Sequence, residues 1–214
     1  MFLFATGFVV NSIYEGPVSH VFIPWRIKNR LLNAIKNNNQ EEIDRELLKI
    51  HQMCWSRPDQ ITSILSLALE QSVETNNQKT ISSILSFIKN NMESWDRRSL
   101  LEKSLGKSIE VGNQESLSSI LSFVRDNLNF WDRKALLEKA LEQSIEANNQ
   151  EAVSFVVSVL SVSVDPWDRQ ELFEKVLEKS KKTNNKEAIS LLSDVVNKGK
   201  EQNSYYAMAR YLLS

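Results

Sequence analysis

The sequence predicts an all-α chain: an α-solenoid of about five stacked helix-turn-helix repeats on a 36-residue step. A short irregular or β-hairpin segment is expected before the array and a capping helix after it. Three observations carry this. The stretch WDRKALLEKALEQSIEANNQ from Trp131 recurs as WDRRSLLEKSLGKSIEVGNQ from Trp95 and as WDRQELFEKVLEKSKKTNNK from Trp167, each 36 residues from the next. A fixed step in this range marks a repeat array, in which each unit covers the apolar face its neighbour leaves open. Apolar residues recur at spacings of 1, 3 and 4, the signature of helices with a broad apolar stripe. Only 5 glycines and 4 prolines occur, which suits long helices joined by tight turns.

The predicted divisions are a non-repeat segment 1–24, the array 25–200 and a terminal helix 201–214. In the first segment, two β-prone runs, Phe2 to Val10 and Val18 to Ile23, flank the turn-like Glu15-Gly16-Pro17. They are expected to pair as a hairpin or to cover the open end of the first unit. The apolar run is too short to span a membrane, which takes about 20 residues. No Lys or Arg precedes it and no small-x-small cleavage site follows, so a secretory signal is the lesser reading.

The first unit begins near Trp25, with Ile27, Leu31 and Ile35 on one face. Its second helix turns Ile43, Leu47, Leu48 and Ile50 inward. The second unit runs from Asp59, at the end of a linker Cys54 to Asp59 in which Ser56 and Asp59 resemble a capping box. The third has Leu100, Leu101, Leu105 and Ile109, then Leu117, Ile120, Leu121 and Val124. In the fourth, the β-branched run Phe155 to Val164 resembles a strand, but its place in the array predicts helix. The fifth closes near Val196, with Gly199 expected to cap it. A last helix of about Asn203 to Leu213 follows.

Two turn types repeat. Between the helices of a unit stand Asn38, Asn76, Gly112, Asn148 and Asn184, residue types that tolerate the left-handed backbone a helix C-terminus uses. The next position is Asn39, Asn77, Asn113, Asn149 and Asn185, and Asn is a preferred N-cap. Between units stands Trp-Asp-Arg. Asp165-Pro166-Trp167-Asp168 predicts an N-cap, Pro at N1 and an acid in the first turn, with Asn129 to Asp132 on the same plan.

On these residues the chain resembles the ankyrin-repeat family. In LEQSIEANNQEAV, Leu141 to Val153, Ser144 and Ile145 match the family's paired alanines, and Asn148 its turn glycine, which Gly112 supplies outright. Glu151 and Val153 match the start of its second helix. The resemblance covers roughly Trp25 to Val196. The Thr-Pro-Leu-His opening is absent, the step is 36 rather than about 33, and the glycines of the long finger are missing. A tetratricopeptide array is nearer in step, but its Trp, Gly and Pro positions do not match. The resemblance implies a scaffold, inhibitor or host-directed binding role.

The residues point away from catalysis. Net charge is −1, from 26 basic and 27 acidic residues, and gives no general field for nucleic acid or anionic membrane. One cysteine, Cys54, excludes an intrachain disulfide and suggests a reducing, cytoplasmic setting. His51 and Cys54 could touch, and an enzyme-linked fragment using them or the N-terminal segment is the competing reading. No oxyanion hole or orienting third group accompanies them. Two histidines and one cysteine make no usual zinc site, and no Gly-rich phosphate loop occurs, so no cofactor or metal is expected.

The leading reading is a non-catalytic protein–protein interaction module whose partner is another protein. A structural spacer is a third. Candidate partner-binding residues are the ladder Trp95, Arg97, Trp131, Arg133, Trp167 and Arg169, together with the aligned carboxylates Glu102, Glu138 and Glu174. For the tryptophans the first expectation is that each ring covers the edge of its own helical pair, with exposed interface anchors the alternative. For the glutamates and the aligned Lys103, Lys139 and Lys175, the first expectation is a solvated charge ladder, with a recognition surface the alternative.

Overall fold

The computed structural model describes residues 19–53 and 58–212. Among them are ten α-helices and no strand. In chain order they are α1 (Ser19–Lys36), α2 (Gln40–Met53), α3 (Pro58–Glu74), α4 (Gln78–Asn91), α5 (Ser94–Glu110), α6 (Gln114–Asn127), α7 (Phe130–Glu146), α8 (Gln150–Ser163), α9 (Pro166–Thr183) and α10 (Lys186–Leu212). They alternate between a longer first helix and a second helix that is 14 residues long in α2, α4, α6 and α8.

The hairpin turns follow from the Asn pairs. Asn38, Asn76, Asn148 and Asn184 have φ between 51° and 56°, and Gly112 has φ 66°. A left-handed residue there lets two amides turn back onto the helix just ended. In the fourth unit, Asn148 N–H donates to Ile145 O (3.1 Å) and Asn149 N–H to Ser144 O (2.9 Å). These are the paired bonds of a Schellman motif, and all five hairpins repeat them. The second Asn then caps the helix that begins. The side chains of Asn77, Asn113, Asn149 and Asn185 accept from the amides of Thr80, Ser116, Ala152 and Ala188 at 3.0–3.1 Å. One side chain thereby satisfies a donor that a helix start otherwise leaves orphaned.

The carbonyl that receives the second Asn amide belongs to Ala34 in the first hairpin and to a buried serine in the other four: Ser72, Ser108, Ser144 and Ser180. Each hydroxyl donates to the carbonyl four residues earlier at 2.7–2.9 Å. A buried hydroxyl without a partner would cost about 1–3 kcal/mol, so this back-bond makes a small polar residue tolerable there.

Packing is between neighbours. First helices pack in one row, α1 on α3, α3 on α5, α5 on α7 and α7 on α9, and second helices pack likewise from α2 to α10. Every substantial helix–helix contact joins elements no more than two apart in the chain. One contiguous apolar core runs through the rows from Ile27 to Val196.

Several sequence expectations need correction. The expected strand Val18 to Ile23 is helical from Ser19 on, because it continues directly into the periodic face of α1; Phe2 to Val10 lies outside the described residues. The boundary at 24/25 therefore falls inside α1. The capping helix is no separate element, since α10 runs unbroken for 27 residues through Gly199. Gly199 therefore lies inside a helix and not at a helix end; a Cβ there would meet only the flexible end of the Gln170 side chain. Leu48, expected inward, is 59% exposed. The β-branched run is helical as expected, within α8.

Candidate interaction surfaces

The inter-unit turn is built from three side chains in succession. The chain leaves each second helix through an extended residue, Met92, Leu128 or Val164, with φ between −109° and −124°. All three are buried, each 36 residues from the next, and they cover the edge of the helical pair. Asn129 and Asp165 then cap α7 and α9 through the amides of Asp132 and Trp167, both at 3.0 Å. Glu93, at the matching place before α5, makes no such bond.

The arginines of the motif are spent inside the fold. Each guanidinium reaches back eight residues to a carbonyl left open at the end of the preceding helix: Arg97 to Lys89 O (2.9 Å), Arg133 to Arg125 O (2.8 Å), and Arg169 to Ser161 O. A cation belongs there, because the helix dipole ends in unpaired carbonyls. Arg97 also donates through Nε to Met92 O at 2.8 Å, whereas Arg133 Nε is buried without a partner.

The tryptophans point the other way. Trp131 is 73% exposed and Trp167 68%. This overturns the expectation that they cover the helical pair. Both rings stand at the second residue of a helix, where a side chain leaning toward the N-terminus has no preceding turn to rest on. Met92, Leu128 and Val164 already occupy the covered place. Trp131 meets the Phe130 ring edge-on, with ring centroids 5.2 Å apart. Trp95 opens α5 at the same register, and its side chain lies outside what the structure describes.

The aspartates of the motif are met from one unit earlier. Asp168 pairs with Lys134, and Asp132 has Arg98 at 3.6 Å. The equivalent cation for Asp96 is replaced by Thr62, whose hydroxyl bonds it. Burial first, and then the Asp59 carboxylate, raise the Asp96 pKa above the ordinary aspartate value; the Thr62 bond opposes them.

The glutamate column is likewise committed to the fold. Glu102 pairs with Lys139 and Glu138 with Lys175, each 37 residues on, and Glu174 with Lys200 at 3.0 Å. The Gln170 amide, and then Lys200, hold Glu174 below the usual carboxylate range; Glu138 holds Lys175 above the usual lysine range. The first two pairs are exposed ties between units and the third joins the two helices of the fifth unit, each contributing about 0.2–1 kcal/mol.

His51 is exposed and meets the edge of Phe87 at 6.4 Å, while Cys54 lies outside the described residues. Among the described residues no group of three or more His, Cys, Asp or Glu is placed to hold a metal ion. No helix there is long and apolar enough to cross a membrane.

Sequence reasoning missed a further set of contacts. The N-cap asparagines also donate across units. Asn113 Nδ2 reaches Val73 O at 2.9 Å, while Asn149 reaches Ile109 O and Asn185 reaches Ile145 O, both at 3.1 Å, each 40 residues back. An asparagine that caps one helix spends only its oxygen, so its two free N–H donors were the available signal. Searches of protein-family models, of curated proteins and of solved structures returned no significant match to this chain.

Proposed function

We propose that the chain is a non-catalytic protein–protein interaction module: an α-solenoid with an ankyrin-like turn plan, whose partner docks on the edge marked by Trp131 and Trp167. The carrying observation is the exposure of these two indoles, 73% and 68%, at the same place in successive units. Trp is among the commonest interface anchors, and two large rings held in water lose free energy that a partner would restore. The left-handed residue in each hairpin, which the resemblance equates with a turn glycine, supports the ankyrin-like reading. Arg97, Arg133 and Arg169, spent on carbonyls, and Glu102, Glu138 and Glu174, spent on lysines, are assigned to the fold and not to the partner.

The test is photocrosslinking from the edge itself. A benzophenone amino acid is placed at position 131 or 167 and, as control, at Ser82 on α4. One and the same protein captured from 131 and 167, and lost in a Trp131→Ala/Trp167→Ala chain, is the expected result. No discrete adduct from either edge position would sink the reading and favour a spacer.

A further inference from the structure

The row of second helices carries a different surface. Along it, glutamine and serine tie one unit to the next. Gln40 Nε2 donates to Ser83 Oγ at 3.2 Å; Gln78 Nε2 donates to Ser116 Oγ at 3.0 Å, and Gln78 accepts from Ser119 Oγ at 3.3 Å. One unit later the pattern breaks. Ala152 and Phe155 stand where Ser116 and Ser119 stood, so the Gln114 carboxamide has no hydrogen bond among the described residues. It is half-buried and lines a shallow cleft of about 540 Å³ with Gln150, Glu151, Ser154, Phe155 and Ser158. Gln150 donates to Asn185 Oδ1 at 3.0 Å. The cleft thus offers a free carboxamide beside a half-buried aromatic ring, two hydroxyls and a carboxylate.

Charge decides what would fill it. Glu115, Glu151 and Glu187 open α6, α8 and α10, each 36 residues from the next, and all are exposed. Unlike the column on the first helices, they make no ion pair among the described residues. A carboxamide carries the donor and acceptor that a peptide bond needs. Packed helices lie about 8–10 Å apart, and a chain in the extended polyproline-II form rises about 3.1 Å per residue with three residues per turn, so every third side chain faces the same way and would meet successive glutamates.

We propose that this face binds an extended basic peptide with Lys or Arg at about every third position, lying across α6, α8 and α10. One backbone amide pairs with Gln114, and an apolar side chain rests on Phe155. The proposal shares with the module reading only that the ligand is a protein, and it uses a face other than the tryptophan edge.

The probe is a fluorescein-labelled nonapeptide of three Lys-Leu-Ser repeats, titrated into the full chain at low salt by anisotropy. Beside it run the Glu-Leu-Ser counterpart and an isomer with its three lysines adjacent. The expected result is saturation by the first peptide, none by the second and weaker binding by the third. Glu115→Gln/Glu151→Gln/Glu187→Gln should weaken the first peptide about tenfold, and Glu151→Gln alone about threefold. The single variant decides the matter if the triple one does not fold, which circular dichroism checks. Phe155→Ser recreates the Ser119 arrangement, gives Gln114 a partner and should also weaken binding. Trp131→Ala/Trp167→Ala should leave it unchanged. No saturation, equal binding of the glutamate peptide or the isomer, or unchanged affinity in the glutamine variants overturns the proposal. Each of those results leaves crosslinking from positions 131 and 167 standing as a separate question.

Discussion

The two ends of each unit are built on opposite plans. At the hairpin end, Asn185 caps α10 with its oxygen, donates to Ile145 O and accepts from Gln150, all within one buried side chain. At the turn end, the buried work is done by Leu128 or Val164 and an arginine, and the largest side chain of the motif stands in water. Equal regularity in sequence therefore has two causes. At the hairpin it reflects bonds that the fold cannot do without. At the turn it reflects, for tryptophan, a surface repeated because the unit is repeated.

The sharpest way to break this contrast is Asn185→Ala. It removes an N-cap and leaves a buried carbonyl open, and should cost about 2–4 kcal/mol in urea unfolding. A loss under about 0.5 kcal/mol would equate the two ends. Next comes the left-handed position. Asn148→Ala should cost about 1–2 kcal/mol, since a Cβ without the local bonding of Asn disfavours positive φ, while Asn148→Gly should be near neutral. Thermal melts of the pair separate backbone strain from lost side-chain contacts.

A smaller effect tests the turn end by pH. Because burial and Asp59 raise the Asp96 pKa, the folded chain holds that proton more tightly than the unfolded one. The contribution is fully present below the unfolded value of about 3.9 and is lost as pH rises through the folded value. Asp96→Asn should therefore melt no lower than the parent at pH 7. Asp168→Asn, which gives up the Lys134 pair, should lose about 0.5 kcal/mol there. Melting both from pH 4 to pH 7 reads the sign directly. Smallest of all, Trp131→Ala should change stability by less than about 0.5 kcal/mol, as expected for an exposed side chain. A larger loss would return the ring to the fold.

What the sequence showed plainly was whatever obeys a local rule. Asn38 and its counterparts, the Asn N-caps, Pro166 at N1 and the helical periodicity all depend on a few adjacent residues, and the structure has each of them as expected. What depends on the facing unit was hidden. The aligned Glu102 and Glu138 were visible as a column, yet only geometry shows that they meet lysines 37 residues on, while Glu115, Glu151 and Glu187 make no ion pair among the described residues. Met92, Leu128 and Val164 share no residue type, so nothing marked them as the covering residues. The tryptophans did share one, and that drew the covering role to them.

The reach of the cross-unit bonds has a kinetic consequence. Nearly all of them close over the length of one unit, so no loop longer than that need form before any contact is gained. Order can begin wherever two adjacent hairpins first meet and spread outward a hairpin at a time, and it is lost from the ends in the same increments. Backbone amides of α5 and α7 should therefore exchange with deuterium last, and those of α1 and α10 first.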